Sequence, residues 1–170
     1  VDAIICAAGG WAGGSAGADP TAFAKSVQDM VSQCLLPPML ATSMAAHLMN
    51  DGGALVIVGS AAALRPTPGM IAYGAVKAAT HHIVHSAAAE GSGLPKGSRV
   101  LGIIPTTIDT PSNRKWMAGA DVSTWTSTAD IADKVLSFAQ RTEAPPVSSG
   151  SLLEPVTFSS RTVWHEHSLA

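Results

Sequence analysis

Residues 73–77 read Tyr-Gly-Ala-Val-Lys and set a phenol and an ammonium four residues apart. On a helix, this spacing places Tyr73 and Lys77 on the same face. A phenol with its ordinary pKa near ~10 is a weak proton donor at neutral pH, and a fixed positive charge beside it lowers that pKa. The pair is therefore predicted to act as a proton donor. The simpler alternative is a half-buried tyrosine beside a solvated lysine.

Ser60 extends this candidate site. It lies thirteen residues before Tyr73 and comes soon after the apolar run Ala54–Val58. A hydroxyl at the end of a strand can face the same reacting atom as the phenol. We therefore expect catalytic roles for Ser60, Tyr73 and Lys77.

Three further segments stand in an order and at distances that suit the same site. Residues 6–10, Cys-Ala-Ala-Gly-Gly, follow one apolar run, and residues 105–110, Pro-Thr-Thr-Ile-Asp-Thr, follow another. Gln33 lies forty residues before Tyr73. Together with Tyr73 and Lys77, these segments resemble the short-chain dehydrogenase/reductase family.

The resemblance implies an oxidoreductase with a Rossmann-like fold and a nicotinamide dinucleotide cofactor. Gln33 matches a catalytic position that anchors a proton-relay water in the family. Lys77 is expected to lower the pKa of Tyr73 and to hydrogen-bond the nicotinamide ribose. The residues expected at the cofactor are Ala8, Gly9, Gly10, Tyr73, Lys77, Pro105, Ile108 and Thr110.

Residues 9–14, Gly-Gly-Trp-Ala-Gly-Gly, resemble a narrower group within the family, the quinonoid dihydropteridine reductases. This resemblance implies reduction of a quinonoid dihydropterin to tetrahydropterin by NADH, or by NADPH. Trp11 is expected to stack on the flat pterin, with Ser60 and Tyr73 also at the substrate. The alternative is that Trp11 packs its loop onto the core. Three further segments also resemble the quinonoid dihydropteridine reductases. They are residues 67–70, 109–115 and 148–152.

Two other functions stay open. Members of the dihydropteridine reductase group often carry Ala at the position of Ser60, so a short-chain carbonyl reductase acting on another substrate is the first alternative. The second is a catalytically silent binding or dimerisation scaffold, against which the intact Tyr73 and Lys77 argue. Asn113, Arg114 and Lys115 lie where the family has a substrate lid, or they only solvate a loop.

Apolar runs and helix-favouring segments alternate along the chain. This order predicts an α/β fold, a Rossmann-like doubly wound parallel sheet with helices on both faces. Ser127 or Thr128 should cap the last helix. Strands are expected at Val1–Ala7, Ala54–Val58, Val100–Ile104 and Leu152–Thr157. Helices are expected at Thr21–Asn50, broken or kinked at Pro37 and Pro38, at Ala72–Glu90 and at Ala129–Arg141.

The glycine-rich turn that cradles a dinucleotide pyrophosphate is not found in these 170 residues. Residues 9–17 are rich in glycine, but their spacing does not fit Gly-x-Gly-x-x-Gly, and we interpret them as the loop under the nicotinamide. We therefore expect residues 1–170 to form a single domain, the C-terminal two thirds of a short-chain reductase domain. Its first strand would then lie at an open edge of the sheet.

The composition of the chain argues against certain kinds of binding partner. With 46% hydrophobic residues and a formal net charge of −2, the chain has no basic run for nucleic acid. It has no apolar stretch long enough to cross a membrane and no visible secretory signal, so a cytoplasmic location is expected. Cys6 and Cys34 are expected to be small buried residues rather than a disulfide or metal set.

Two features concern metals and assembly. His81 and His85 lie four apart on one predicted helix, but no third ligand at suitable spacing accompanies them, so no metal site is expected. The helices at Thr21–Asn50 and Ala72–Glu90 are rich in Ala and Met. They are expected to join two copies in a homodimer.

Overall fold

The computed structural model describes residues 1–159 and 161–167. One sheet is formed by strands β1 (Ala3–Cys6), β2 (Ala54–Val58), β3 (Arg99–Ile103), β6 (Leu152–Phe158) and β7 (Arg161–His167). The strands lie in the order β1-β2-β3-β6-β7; the first four are parallel and β7 is antiparallel to β6. A separate parallel pair consists of β4 (Ile108–Asp109) and β5 (Thr126–Ser127).

Helices cover both faces of the sheet. Leu55 and Ile57 of β2 belong to one core cluster with side chains of the helices at Leu36–Leu48 and Ile71–Ala88, whereas Ala54 and Val56 belong to another with side chains of the helix at Thr128–Gln140. This alternation along a buried strand is the period of two that places successive side chains on opposite faces. The predicted doubly wound α/β fold is confirmed. The helices are α1 (Pro20–Met30), α2 (Leu36–Leu48), α3 (Ile71–Ala88), α4 (Pro111–Trp116) and α5 (Thr128–Gln140).

The long helix predicted at Thr21–Asn50 is divided by a π-helical turn at Val31–Leu35. Proline has no amide hydrogen, so Pro38 cannot donate to Cys34 O, four residues back. Thr80 Oγ1 of α3 donates to that carbonyl instead, at 3.3 Å. The predicted break is therefore confirmed, and it begins before the two prolines.

Other predicted bounds agree to within a few residues. Strand β2 has the predicted bounds, and the Ser127 hydroxyl caps α5 by accepting the Asp130 N–H at 3.0 Å. Strand β7, helix α4 and the β4–β5 pair were not predicted. His165 and His167 both lie in β7, and His167 Nε2 is 2.9 Å from Glu154 Oε2 of β6.

The parallel strands fix where the site lies. The carboxyl ends of β1, β2 and β3 meet at one edge of the sheet, where open α/β sheets bind their ligands. The loops that carry the predicted site residues leave the sheet at this edge. No helix in residues 1–159 or 161–167 is long and apolar enough to cross a membrane.

Candidate active site

Helix α3 carries Tyr73 and Lys77 towards the end of β2. Lys77 is 4% exposed, and its Nζ donates to Val58 O at 2.9 Å. The same Nζ lies 6.0 Å from the centre of the Tyr73 ring. The spacing of four residues therefore places the two side chains together, as expected.

The pKa of Tyr73 moves in the direction opposite to our expectation. Burial of the phenol raises its pKa above 10.0, and the Ser60 side chain opposes this rise. Burial also disfavours the charged form of Lys77, and this lowers the pKa of its ammonium below 10.5. Removal of the phenol from water is therefore the largest influence on its pKa, and it outweighs the opposing effect of Ser60. In this structure, Tyr73 is a protonated phenol at neutral pH.

Ser60 lies directly beyond β2 and is 3% exposed. Its Oγ accepts the Ala62 N–H at 3.3 Å, which caps a short 3₁₀ turn at Ala61–Leu64. Ala61 N donates to Pro105 O at 3.2 Å, so the Ser60 turn is tied to the loop after β3. The Ser60 side chain also lowers the pKa of Tyr73, so Ser60, Tyr73 and Pro105 lie close together.

The loop after β1 lies against both α3 and the π-turn. A Cβ built on Gly9 would lie 3.6 Å from Lys77 Nζ, and one built on Gly10 would lie 1.9 Å from Gln33 Oε1. Cys34 Sγ accepts the Gly10 N–H at 3.2 Å and lies 3.3 Å from Gly10 O, to which it donates. Cys34 is buried, as predicted, but its hydrogen bonds to this loop were missed. Its position beside Gln33 was the available signal.

Trp11 is 68% exposed, so the indole is not packed into the core. Its Nε1–H points to Met70 Sδ at 3.4 Å. The backbone of the same loop is joined to the segment before α3, since Gly14 N donates to Gly69 O at 2.9 Å and Ile71 N to Gly14 O at 3.1 Å. These bonds hold a flat aromatic surface beside the start of the helix that carries Tyr73.

The remaining predicted residues follow β3. Thr110 Oγ1 caps α4 by accepting the Asn113 N–H at 3.1 Å, and Asn113 Nδ2 donates to Ile108 O at 2.8 Å. Arg114 forms two bonds to the Asp109 carboxylate, at 2.5 and 2.8 Å, which lower the pKa of that carboxyl. Ile108, Thr110 and Asn113 therefore shape this loop, and Arg114 is engaged by Asp109. Lys115 is exposed.

Gly9 and Lys77 together offer space and hydrogen-bond donors that suit a polar ligand. Glycine leaves free the space next to the Lys77 ammonium that a Cβ would fill. An ammonium has three N–H donors, and in the described part of the chain Lys77 Nζ has Val58 O as its hydrogen-bond acceptor. The other donors suit hydroxyl groups such as those of a ribose.

His81 is a further residue whose role the sequence did not indicate. It lies on α3 one turn beyond Lys77, and its Nε2 accepts the backbone N–H of Ser60 at 3.3 Å. The signal available was its spacing of four residues from Lys77. Within residues 1–159 and 161–167, no three His, Cys, Asp or Glu residues are grouped so that they could hold a metal ion.

Fold and site together define a class of protein. The family model described as short chain dehydrogenase matches residues 1–121. The chain belongs to this family of NAD(P)H-dependent oxidoreductases. Within the family, it is 46% identical over 164 residues to a dihydropteridine reductase of Dictyostelium discoideum, a match that spans 96% of this chain and 70% of that protein.

Solved structures agree on the fold. A short-chain dehydrogenase/reductase from Serratia marcescens matches 95% of this chain with a TM-score of 0.74 at 22% identity. A short chain dehydrogenase from Burkholderia cenocepacia, in complex with NADP, matches 94% with a TM-score of 0.69 at 22% identity. This chain spans 66% and 64% of the lengths of those two proteins.

Proposed function

We propose that this protein reduces a quinonoid dihydropterin to the tetrahydropterin with NADH. The observation that carries the proposal is the 46% identity to a dihydropteridine reductase along nearly the whole chain. The placement of Tyr73, Lys77 and Ser60 at the carboxyl end of β2 supports it. A bound nicotinamide dinucleotide supplies the hydride in this family.

Tyr73 supplies the accompanying proton from Oη. Burial raises its pKa, so the phenol carries that proton at neutral pH, and the Ser60 side chain opposes this rise and so favours release of the proton. Lys77 holds the cofactor ribose with the N–H groups that do not bond Val58 O, and Gln33 supports a water. The residues proposed to hold the nicotinamide end are Ala8, Gly9, Gly10, Tyr73, Lys77, Pro105, Ile108 and Thr110.

Trp11 is proposed to stack on the pterin. The indole is 68% exposed, and its Nε1–H points to Met70 Sδ, so much of the ring is open to a flat ligand. Offset stacking of aromatic rings contributes about 1 kcal/mol beyond the area buried. Ser60 and Tyr73 complete the proposed substrate contacts.

Replacing the two hydroxyls tests the proposal. Tyr73→Phe is expected to lower turnover of quinonoid dihydropterin by about 100-fold, as when a general acid is lost. Ser60→Ala is expected to cost less than about 10-fold, because a quinonoid pterin is already electron-poor and needs little polarisation. Steady-state rates with NADH and with NADPH measure both effects and the cofactor preference. The absence of turnover by the unmodified protein with either cofactor would contradict the proposal.

A carbonyl reductase is the second candidate, and the buried Ser60 hydroxyl beside Tyr73 favours it. A ketone oxygen gains negative charge as hydride arrives, so both hydroxyls should then matter equally. If Ser60→Ala proved as damaging as Tyr73→Phe, this candidate would replace the pterin reductase.

A homodimer through α2 and α3 is part of the proposal. Five large apolar side chains on α2 are each about half exposed, with Leu40 at 54%. An unpartnered apolar helix face of this kind marks an interaction site. Four of these side chains recur every four residues along α2, which places them on one side of the helix, and the fifth is adjacent in sequence to one of them. The five are Leu36, Met39, Leu40, Met44 and Leu48.

Sedimentation of two matched variants tests the dimer. Leu40→Glu should shift the protein to monomers, because it places a charge in the proposed interface. Leu136→Glu changes a leucine of α5 that is also 54% exposed and should leave the molecular mass unchanged. Equal masses for both variants and the unmodified protein would contradict this interface.

A further inference from the structure

His81 ties helix α3 to the turn that carries Ser60. It is 7% exposed, and its Nε2 accepts the Ser60 backbone N–H at 3.3 Å. Tyr73, Lys77 and His81 follow one another at intervals of four residues and therefore share one face of α3. The imidazole thus reaches the backbone of Ser60 from the same side as the tyrosine and lysine.

The end of β2 is held at two points from this helix. Lys77 Nζ donates to Val58 O, and His81 Nε2 accepts from Ser60 N, on either side of Gly59. A Cβ built on Gly59 would lie 2.7 Å from both Cδ2 and Nε2 of His81. Only a glycine therefore lets the imidazole approach this closely.

The neighbouring strand holds the same turn from the other side. Gly59 N donates to Ile103 O at 2.7 Å, and Ala61 N donates to Pro105 O at 3.2 Å. The Ser60 N–H lies between these two bonds and points to His81 instead. The imidazole therefore accepts the hydrogen bond from the one backbone N–H of residues 59–61 that neither Ile103 O nor Pro105 O accepts.

We propose that His81 is a positioning residue, which fixes the backbone of Ser60 so that its hydroxyl faces Tyr73. This inference rests on the proposed function, in which Ser60 and Tyr73 act on the substrate. The Ser60 Oγ accepts the Ala62 N–H, which leaves its own proton for a bond to the Tyr73 phenol, whose pKa Ser60 lowers. A small rotation of the Ser60 backbone would turn that hydroxyl away from the phenol.

The neutral form of the imidazole suits this role. Burial, His85 and Lys77 lower the pKa of His81 to about 4, so at neutral pH its Nε2 is free to accept a hydrogen bond. A leucine of similar volume would keep the packing but would leave the Ser60 N–H without its acceptor. A glutamine can place an amide oxygen near the position of Nε2 and restore the acceptor.

Turnover of three variants gives the first test. His81→Leu should lower kcat by about the same factor as Ser60→Ala, with KM for NADH changed less than about twofold. His81→Gln should recover most of that loss, and His165→Leu, at an exposed position in β7, should have no effect. The double variant of His81→Leu and Ser60→Ala should be no slower than Ser60→Ala alone. Additive losses would show that His81 does not act through Ser60.

A titration that needs no activity gives the second test. Tyr73 is the single tyrosine of the sequence, so the absorbance of the phenolate, with Tyr73→Phe as the blank, follows this group alone. Because Ser60 opposes the rise in the pKa of Tyr73, displacing its hydroxyl should raise that pKa further. His81→Leu and Ser60→Ala should raise the midpoint by equal amounts, and His81→Gln should not raise it.

The two tests separate the inference from the proposed function. A protein that reduces no pterin but shows the expected midpoints would contradict the proposed function and keep the positioning role. An unchanged midpoint in folded His81→Leu would overturn the positioning role, whatever the activity.

Discussion

At the scale of single residues, Gly74 shows how tightly α3 lies against the segment before it. A Cβ built on Gly74 would lie 1.9 Å from Thr67 Oγ1 and 2.9 Å from Thr67 Cβ. Thr67 is short and branched at Cβ, so it cannot swing its contacting atoms away as a long side chain can. Contact between these two residues therefore fixes the start of α3, where Tyr73 lies.

Gly74→Ala should destabilise the protein by about 1–3 kcal/mol, the usual cost of overpacking. Alanine would otherwise stabilise a helix interior by up to about 1 kcal/mol relative to glycine. Urea unfolding measures the change. Gly69→Ala is the matched control, because a Cβ there meets nothing within 4 Å. Equal stability of Gly74→Ala and Gly69→Ala would contradict the close packing.

The sequence predicted which residues come together better than it predicted their protonation. Spacing places Tyr73 beside Lys77, and strand ends place Ser60 and Gly9 near them. The pKa of Tyr73 depends on how far the phenol is removed from water, and that depends on side chains distant in sequence. The contacts of Cys34 with Gly10 and of His81 with Ser60 were missed as well, because a position next to Gln33 or four residues from Lys77 indicates nearness to the site but not the hydrogen-bond partner.

At the scale of elements, the π-turn links the prolines of α2 to the packing of α3. Thr80 is fully buried, and the single proton of its hydroxyl is shared between Cys34 O, 3.3 Å from Oγ1, and Val76 O, 2.8 Å from Oγ1. The carbonyl at Cys34 cannot receive the usual helical N–H, because the residue four positions later is Pro38. The threonine therefore satisfies a polar group that would be buried without a partner.

Thr80→Val should lower the free energy of unfolding by about 1–3 kcal/mol, the cost of leaving a buried acceptor without a hydrogen bond. Valine has the shape of threonine, so little change in packing is involved. Thr80→Ser keeps the hydroxyl and should be less destabilising than Thr80→Val. The reverse order in denaturant unfolding would show that the methyl group matters more than the hydrogen bond.

Strands and helices with a clear hydrophobic pattern were predicted from the sequence, whereas elements without such a pattern were missed. Strand β2 is a continuous apolar run buried on both faces, as in other parallel sheets. Strand β7, Arg161–His167, is an edge strand in which polar and charged side chains predominate, so it has little apolar signal. Helix α4 has six residues, fewer than two turns, which is too short to show a helical period.

At the scale of the whole molecule, His81 makes stability depend on pH. The folded state holds its pKa at about 4, mainly by burial, with His85, Lys77 and His167 as charged neighbours, whereas the unfolded chain has the ordinary value of 6.5. Between these values the unfolded state binds more protons, so stability falls as the pH falls. The loss amounts to about 2 kcal/mol by pH 5 and about 3 kcal/mol below pH 4.

Unfolding in urea at pH 7.5 and at about pH 5 measures this loss of stability. His81→Gln carries no titratable group at this position, so its stability should fall less between the two pH values than that of the unmodified protein. Equal falls in both proteins would contradict the lowered pKa.

The chain connections between paired strands also influence the order in which the parts of the molecule fold. β6 and β7 follow one another in the chain and pair antiparallel, with Phe158 opposite Arg161, and β-hairpins form in about 1–10 μs. The pairing of β1 with β2 must instead wait until the segments that form α1 and α2 have closed a long loop, and such distant pairing is slow. The loops of the candidate site leave the sheet at the ends of those slowly joined strands. The site is therefore expected to assemble late, after the edge of the sheet farthest from it.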